Sequence, residues 1–334
     1  MRRVHRGVLL TGAAVVAVGT LAACGAVQHT PLLPAVQEPA LNEADVVMRD
    51  GVALPLRVWQ PAGAPRAVLL GLHGFNDHAR AYAPTGEYLA RHGIITYAYD
   101  QRGFGAAPFR GLWTDHRRLA ADARTVIDLL RARHPGLPVY LMGESMGGAV
   151  ALISATEQQA SVDGLVLAAP AVWGRASMNP LQRLLLGTLV RVAPGLTVTG
   201  AGLRITASDN AEMLQALRDD PLIIRRTRVD AIHGMVNLMD AAAASAAQLN
   251  LPTLILYGAR DEIIPPGPTC HFLRALPAHT PARLAFYPEG YHLLTRDLQA
   301  EVVLADIAHW LLRADAPLPS GLELDPPRWT EALC

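Results

Sequence analysis

Aromatic residues are scarce, 5% of 334 residues against a hydrophobic share of 51%. Any core must therefore be aliphatic, and the composition excludes a disordered or collagen-like chain. Neither sign of charge dominates: Lys plus Arg and Asp plus Glu each number 29, a formal net charge of +0. Nothing here supplies the basic face that a nucleic-acid partner demands, so none is expected. Internal repeats are missing, and low-complexity tracts are limited to Ala-rich stretches. Cysteines number three, with no C-x-x-C pair and no His/Cys cluster, which argues against a structural zinc site. No metal or cofactor is expected. What remains is a chain long enough for one large domain or two modest ones.

Also missing is an apolar run long enough to span a bilayer. The stretch from Val8 to Ala23 falls short of the roughly 20 residues a spanning helix needs. Behind Arg2, Arg3 and Arg6 it instead suits a signal-peptide h-region. It ends in Leu21-Ala22-Ala23-Cys24-Gly25, which resembles a bacterial lipobox. The resemblance implies cleavage after residue 23, lipidation of Cys24 and a lipid-anchored place in the bacterial cell envelope, on the periplasmic side of a membrane. Residues 24–44 then read as anchor and tether. Cys270 and Cys334 are left either to pair, as an oxidising compartment permits, or to stay a buried thiol and a terminal one.

From residue 45 onward, continuous apolar runs alternate with helical patterns. Val68–Leu72, Ile94–Tyr99, Val139–Met142, Leu165–Ala169 and Leu254–Tyr257 are bare of alternation, as strands buried on both faces must be. Helices are expected over Tyr82–His92, His116–His134, Met146–Gln158 and Leu293–Arg313, and a hairpin around Asp50-Gly51. The order predicts an α/β protein with a doubly wound, mainly parallel sheet. Residues 45–171 and 248–314 form its core and 315–334 a tail. Residues 172–247 carry helical fragments punctuated by prolines, too long for one crossover, and read as a helical cap over the site.

Gly143-Glu144-Ser145-Met146-Gly147 follows the Val139 strand directly and opens a helix. A strained strand-to-helix turn needs small neighbours and leaves Ser Oγ exposed above the sheet. Seven serines and 28 glycines give on the order of 0.05 such matches by chance, so the motif in this setting marks a nucleophile. A hydroxyl needs a base. His292, in the loop between the last strand-like run (Ala282–Tyr287) and the last long helix, can reach the elbow. Asp261, after the Leu254–Tyr257 strand, would orient it, with Glu262 the nearest competitor. Asp297 is read as pointing from a helix toward solvent. The backbone N–H groups of Met146 and of Phe75, which follows the first core strand, would form an oxyanion hole. His73 is expected to brace that loop, and Asp100 and Arg102 to hold a strand exit.

Together His73-Gly74, Asp100-Gln101-Arg102-Gly103-Phe104-Gly105, Gly143-Glu144-Ser145-Met146-Gly147-Gly148, Gly258-Ala259-Arg260-Asp261 and Tyr291-His292-Leu293-Leu294 resemble the monoacylglycerol lipase/lysophospholipase branch of the α/β-hydrolases. The resemblance spans about residues 45–313. It implies the α/β-hydrolase fold, the triad above and hydrolysis of single-chain acyl esters of lysophospholipid or monoacylglycerol type. A proline-type aminopeptidase or amidase shares the same elbow and triad and stays open, with Glu212, Asp219, Asp220, Asp230 and Asp240 available to hold an amine. A lipid-binding lipoprotein on an inactive hydrolase fold is the non-enzymatic alternative. Apolar cap residues Trp173, Met178, Leu181 and Leu185 are candidates for the acyl entrance, with the amphiphilic ester as partner.

Overall fold

Six strands are apolar enough to be covered on both sides, and their two faces feed two different cores. In Ala67–Leu72, side chains 68, 70 and 72 join one cluster and 67 and 69 the other; Thr253–Gly258 divides likewise, with Ile255 and Tyr257 opposite Leu254 and Leu256. That is the period-two geometry of a strand buried on both faces. The computed structural model describes residues 26–157, 161–200 and 205–334.

In chain order the strands are β1 (Ala40–Leu41), β2 (Asp45–Val47), β3 (Ala53–Trp59), β4 (Ala67–Leu72), β5 (Ile94–Tyr99), β6 (Val139–Glu144), β7 (Gly164–Ala168), β8 (Thr197–Val198), β9 (Thr227–Arg228), β10 (Thr253–Gly258), β11 (Ala282–Tyr287) and β12 (Glu323–Leu324). The helices are α1 (Ala83–Arg91), α2 (His116–Arg133), α3 (Met146–Thr156), α4 (Pro180–Val192), α5 (Ala211–Asp219), α6 (Val229–Ser245), α7 (Pro266–Ala275), α8 (Ala300–Leu312) and α9 (Pro326–Leu333). Ten strands make one sheet in the order β1-β2-β3-β5-β4-β6-β7-β10-β11-β12. Its centre, β5 to β11, is parallel, while β1, β2, β3 and β12 are joined to it by antiparallel pairings at the edges. The order reverses around β4, so the loops at the carboxyl ends of β4 and β6 meet over one crevice, where doubly wound sheets bind ligands.

One core lies under α1 and α8, with Leu89, Ile307 and Trp310. The other lies under α2, α3, α6 and α7, with Val126, Ile153, Leu238 and Phe272. Arg102 anchors the exit of β5, as expected, by a buried pairing with both Asp122 (2.5 and 3.1 Å) and Asp50 (2.9 Å). Burial pushes the Asp122 carboxyl up to about 6 even against that guanidinium. Asp100 accepts from the N–H groups of Ala79 and Ala106, both at 2.8 Å.

Three features differ from the sequence reading. The long last helix begins at Ala300 rather than Leu293, because residues 293–299 form turns that fold back on the site. Between β7 and β10, α4, α5 and a two-stranded ribbon (β8 and β9) stand apart from the sheet, but α6 enters the core beside α3. Finally, the described part of the tether is docked. Thr30 N–H donates to Trp113 O (2.9 Å), Gln28 N–H to Asp230 Oδ2 (3.1 Å), and Val36 N–H to Arg49 O (2.7 Å). Cys24 lies outside the described residues. Cys270 and Cys334 form a disulfide, Cα–Cα 5.4 Å, that ties α9 onto α7.

Candidate active site

Ser145 caps β6 in a conformation that L-residues avoid, φ 53° and ψ −116°. Such strain persists only where the surroundings over-determine it, and here they do. A Cβ on Gly143 would overlap the Gly147 carbonyl, and one on Gly147 the Leu72 carbonyl. Ser145 N–H donates to Ala168 O (3.0 Å) and its carbonyl accepts from Ala171 N–H (2.9 Å), so β7 holds the turn from the side. The turn sets Ser145 at the N-terminus of α3, where the helix dipole favours negative charge.

His292 and Asp261 meet as the sequence reading requires: Nδ1 donates to Asp261 Oδ2 at 2.8 Å, with both side chains buried. The second oxygen, Oδ1, accepts from the N–H groups of Ile263 (2.8 Å) and Ile264 (2.9 Å), which fixes the carboxylate plane. Glu262, the competitor, faces the other way and accepts from Thr206 N–H of the cap (2.6 Å). Ser145 and His292 line a common cavity of about 310 Å³ with Gly74, Phe75, Leu217, Ile223, Ile263 and Leu293. Among the described residues, neither Phe75 nor Met146 gives its backbone N–H to a protein acceptor. His73 braces the Phe75 loop: its Nε2 accepts from Gln101 N–H (3.0 Å), so Nδ1 carries the proton toward Gly74 O (2.8 Å). Burial holds this imidazole below its ordinary range, which keeps it neutral.

The acyl-entrance candidates stand elsewhere. Trp173 and Met178 pack against the core, Leu181 and Leu185 are exposed, and none of the four lines this cavity. The cap covers the site with α5 (Leu217) and the turn before β9 (Ile223) instead. It docks on the Phe75 loop, since Ile224 N–H donates to Asn76 O (3.0 Å), Asn76 Nδ2 to Thr227 Oγ1 (2.7 Å), and His78 pairs with Asp220 (3.1 Å). Asp297 also departs from expectation. It is buried, accepting from Tyr291 N–H (2.7 Å) and Ser208 Oγ (2.6 Å), and burial pushes it up to about 6.

The sequence reading missed a buried ionic cluster. Arg296 donates to Glu144 Oε1 (2.5 Å) and pairs with Asp77 Oδ2 (2.9 Å), while Thr295 Oγ1 donates to Glu144 Oε2 (3.1 Å). The signal was available: two acids and one base, each within four residues of a motif residue.

Comparison with known proteins agrees with this geometry. The chain is 26% identical over 264 residues to a monoacylglycerol lipase of Mycolicibacterium smegmatis, covering 78% of this chain and 94% of that one. It is 26% identical over 276 residues to the human monoglyceride lipase, covering 81% and 90%. The solved structure of the Paleococcus ferrophilus monoacylglycerol lipase superposes with a TM-score of 0.67 at 23% identity, over 78% of this chain and 98% of that one, and shares the fold. The family model for serine aminopeptidase S33 matches residues 63–299, from the approach to β4 to the threshold of α8. Elbow, histidine loop and the parallel centre of the sheet, β4 to β11, fall inside that match, and the chain is a member of the serine aminopeptidase S33 family with the α/β-hydrolase fold.

Proposed function

We propose that this protein is a serine hydrolase that cleaves the carboxylic esters of single-chain lipids, of monoacylglycerol or lysophospholipid type. The observation that carries the reading is the 2.8 Å bond from His292 to a doubly pinned Asp261, in a cavity shared with the strained Ser145. With Nδ1 occupied by Asp261, the remaining ring nitrogen of His292 takes the Ser145 proton as Oγ attacks the ester carbonyl. The carbonyl π electrons move onto oxygen, which the unpaired Phe75 and Met146 N–H groups receive. The C–O bond to the alcohol then breaks and His292 returns the proton to the leaving oxygen. Water, deprotonated by the same nitrogen, attacks the acyl carbonyl; the bond to Ser145 Oγ then breaks, His292 returns the proton to Oγ, and the fatty acid is released. Leu217, Ile223, Ile263 and Leu293 give the acyl chain an apolar wall.

The family also includes peptidases by name, and a peptidase of that kind needs a free carboxylate for the substrate amine. Four of the five cap acids are engaged: Asp220 with His78, Asp230 with Arg228, Asp240 with Arg175, Asp219 with Gln215; the fifth, Glu212, is exposed on α5 and does not line the Ser145 cavity. The ester reading is therefore preferred. It is tested on a panel of 1-monoacylglycerols, lysophospholipids and aminoacyl anilides. Fatty acid release from the first two, abolished by Ser145→Ala, is the expected result; faster turnover of the anilides would overturn it.

A lipid-anchored setting in the bacterial envelope belongs to the same proposal. It rests on the Leu21-Ala22-Ala23-Cys24 sequence, and on Gln28 docking against Asp230 only four residues later, a span of at most about 14 Å. Chains on Cys24 would hold the cap near the bilayer in which such esters concentrate. Membrane fractionation of Cys24→Ser decides this point: the variant should become soluble or stay unprocessed, and a membrane-bound protein of processed mass would refute lipidation there.

A further inference from the structure

Three loops that the chain keeps far apart must stay in register for this chemistry, and one side chain touches all three. Glu144 immediately precedes Ser145, Asp77 follows Phe75 by two residues, and Arg296 follows His292 by four. Arg296 is 4% exposed and reaches the carboxylates of Glu144 and Asp77 from opposite ends of its guanidinium. Its neighbour Thr295 donates to the other Glu144 oxygen. All three charged residues line the cavity that holds Ser145 and His292. Burial opposes the charge on Arg296, but the two carboxylates outweigh it and keep the group protonated.

We propose that Arg296 is a positioning residue: a charged clamp that fixes the nucleophile elbow, the oxyanion loop and the histidine loop relative to one another. Stability alone is a poor reason for such a cluster, since buried ion pairs are often no more stabilising than apolar residues of the same volume. A planar guanidinium gripping two carboxylates does supply what an apolar contact lacks, a fixed direction at each end. The elbow carries its own strain, and the Phe75 loop carries a positive φ at Asn76 (64°). Beyond the β4–β6 pairing, which ends at Leu72 and Gly143, no backbone hydrogen bond among the described residues ties one loop to the other. The clamp closes that gap.

The inference rests on the ester-hydrolase reading and is tested on the full-length protein with Arg296→Lys. Lysine keeps the charge but, as a point donor on a flexible stem, loses the two-ended grip. Active sites are titrated with a fluorophosphonate, so that turnover is counted per competent Ser145 and misfolded protein is removed from the comparison. The expected result is a kcat lowered about 10- to 100-fold, the scale of an ångström-sized misplacement. KM should stay within about twofold, and the fluorophosphonate should react more slowly by a similar factor. A wild-type kcat per titrated site would overturn the clamp, as would a loss confined to KM. Should Arg296→Lys not fold, the uncharged combination Asp77→Asn, Glu144→Gln and Arg296→Met replaces it. The same kcat loss in that folded protein supports the clamp, and a wild-type kcat overturns it. Survival of the measured activity in Ser145→Ala would bring down the hydrolase reading instead, which keeps the two failures distinct.

Discussion

Helices α3 and α4 share Leu, Val, Gly and Thr, yet every residue of α3 is buried and none of α4 is. Their surroundings separate them. α3 leaves the sheet through the one-residue elbow and is enclosed by the sheet, α2 and α6, so it needs no polar face and has none. α4 has no such enclosure and is held by local means. Asn179 and Gln182 form a reciprocal capping box, Pro180 opens the first turn, and Arg183 and Arg191 bond back to carbonyls of the preceding turn and of the helix itself. The core helix is fixed by what surrounds it, the cap helix by its own capping and by one flank, where Leu186 packs toward the core and the helix meets α6. The same contrast runs through the site, where Ser145, Asp261 and His292 sit on core loops and the cap contributes covering side chains.

Glycine to alanine substitutions put the largest expected effect on that contrast, with opposite signs. Gly147→Ala drives a methyl into the Leu72 carbonyl, backbone against backbone. A loss of about 3 kcal/mol or more is expected, enough to leave little soluble protein. In α4, Gly187→Ala meets only the mobile end of Arg191 at 3.4 Å. There the helix should gain about 0.5–1 kcal/mol. Thermal unfolding of the two variants reads both, and equal shifts would mean that the two helices are not held differently after all.

Next in size is the split between neighbours Asp261 and Glu262, one facing His292 and the other the cap. Asp261→Asn should lower kcat by roughly 10⁴, through loss of the oriented, stabilised imidazolium. Glu262→Gln should leave kcat within a few-fold, since it gives up only the charge on an exposed acceptor for Thr206 N–H. Steady-state kinetics on a water-soluble ester separates them, and a dead Glu262→Gln beside an active Asp261→Asn would move the acid by one position.

That pair also shows where sequence reading stops. Ser145 and His292 were legible because the chemistry constrains their local setting, a small-residue turn after a strand and a loop after the last strand. Asp261 was legible only as one of two adjacent acids, because the side to which a turn residue points depends on backbone bonds to Ile263 and Ile264. Asp297 was misread for the same reason. Helical periodicity continues through Leu293–Gln299, but tertiary bonds to Tyr291, Ser208 and Asn210 win over propensity there. The lining of the Ser145 cavity was not legible, because hydrophobicity identifies α4 as apolar without saying which part of the cap overhangs the elbow. Leu217 and Ile223, less conspicuous in sequence, do so.

Asp297 bridges the two regions, and its effect is smaller and pH-dependent. Burial raises its carboxyl to about 6, from an ordinary value of 3.8. The folded protein therefore binds the proton more tightly than the unfolded chain, and the stability tied to this group is present below about pH 4 and lost as pH rises through about 6. Asp297→Asn removes that slope. The Tm of the variant relative to wild type should climb between pH 4 and 7, and a difference independent of pH would show that Asp297 does not titrate in this window.

The smallest expected effect tests the exposed face of α4. Leu181, Leu184 and Leu185 are 62%, 66% and 51% exposed, and residues 164–208 contain no Asp or Glu. Leu184→Gln removes apolar surface that the folded protein does not cover, so its stability should change by less than about 0.5 kcal/mol. If this face meets the bilayer to which Cys24 is proposed to bind, the variant should hydrolyse a short soluble ester at the wild-type rate and a vesicle-presented monoacylglycerol more slowly. The loss should deepen when the vesicles carry anionic lipid, because Arg183 and Arg191 flank the leucines on a segment without acids. Equal rates on vesicles would leave α4 a solvent-facing helix held by its capping box. A drop in Tm of several degrees would reveal that Leu184 is covered in the folded protein, and the contrast with α3 would then be one of degree.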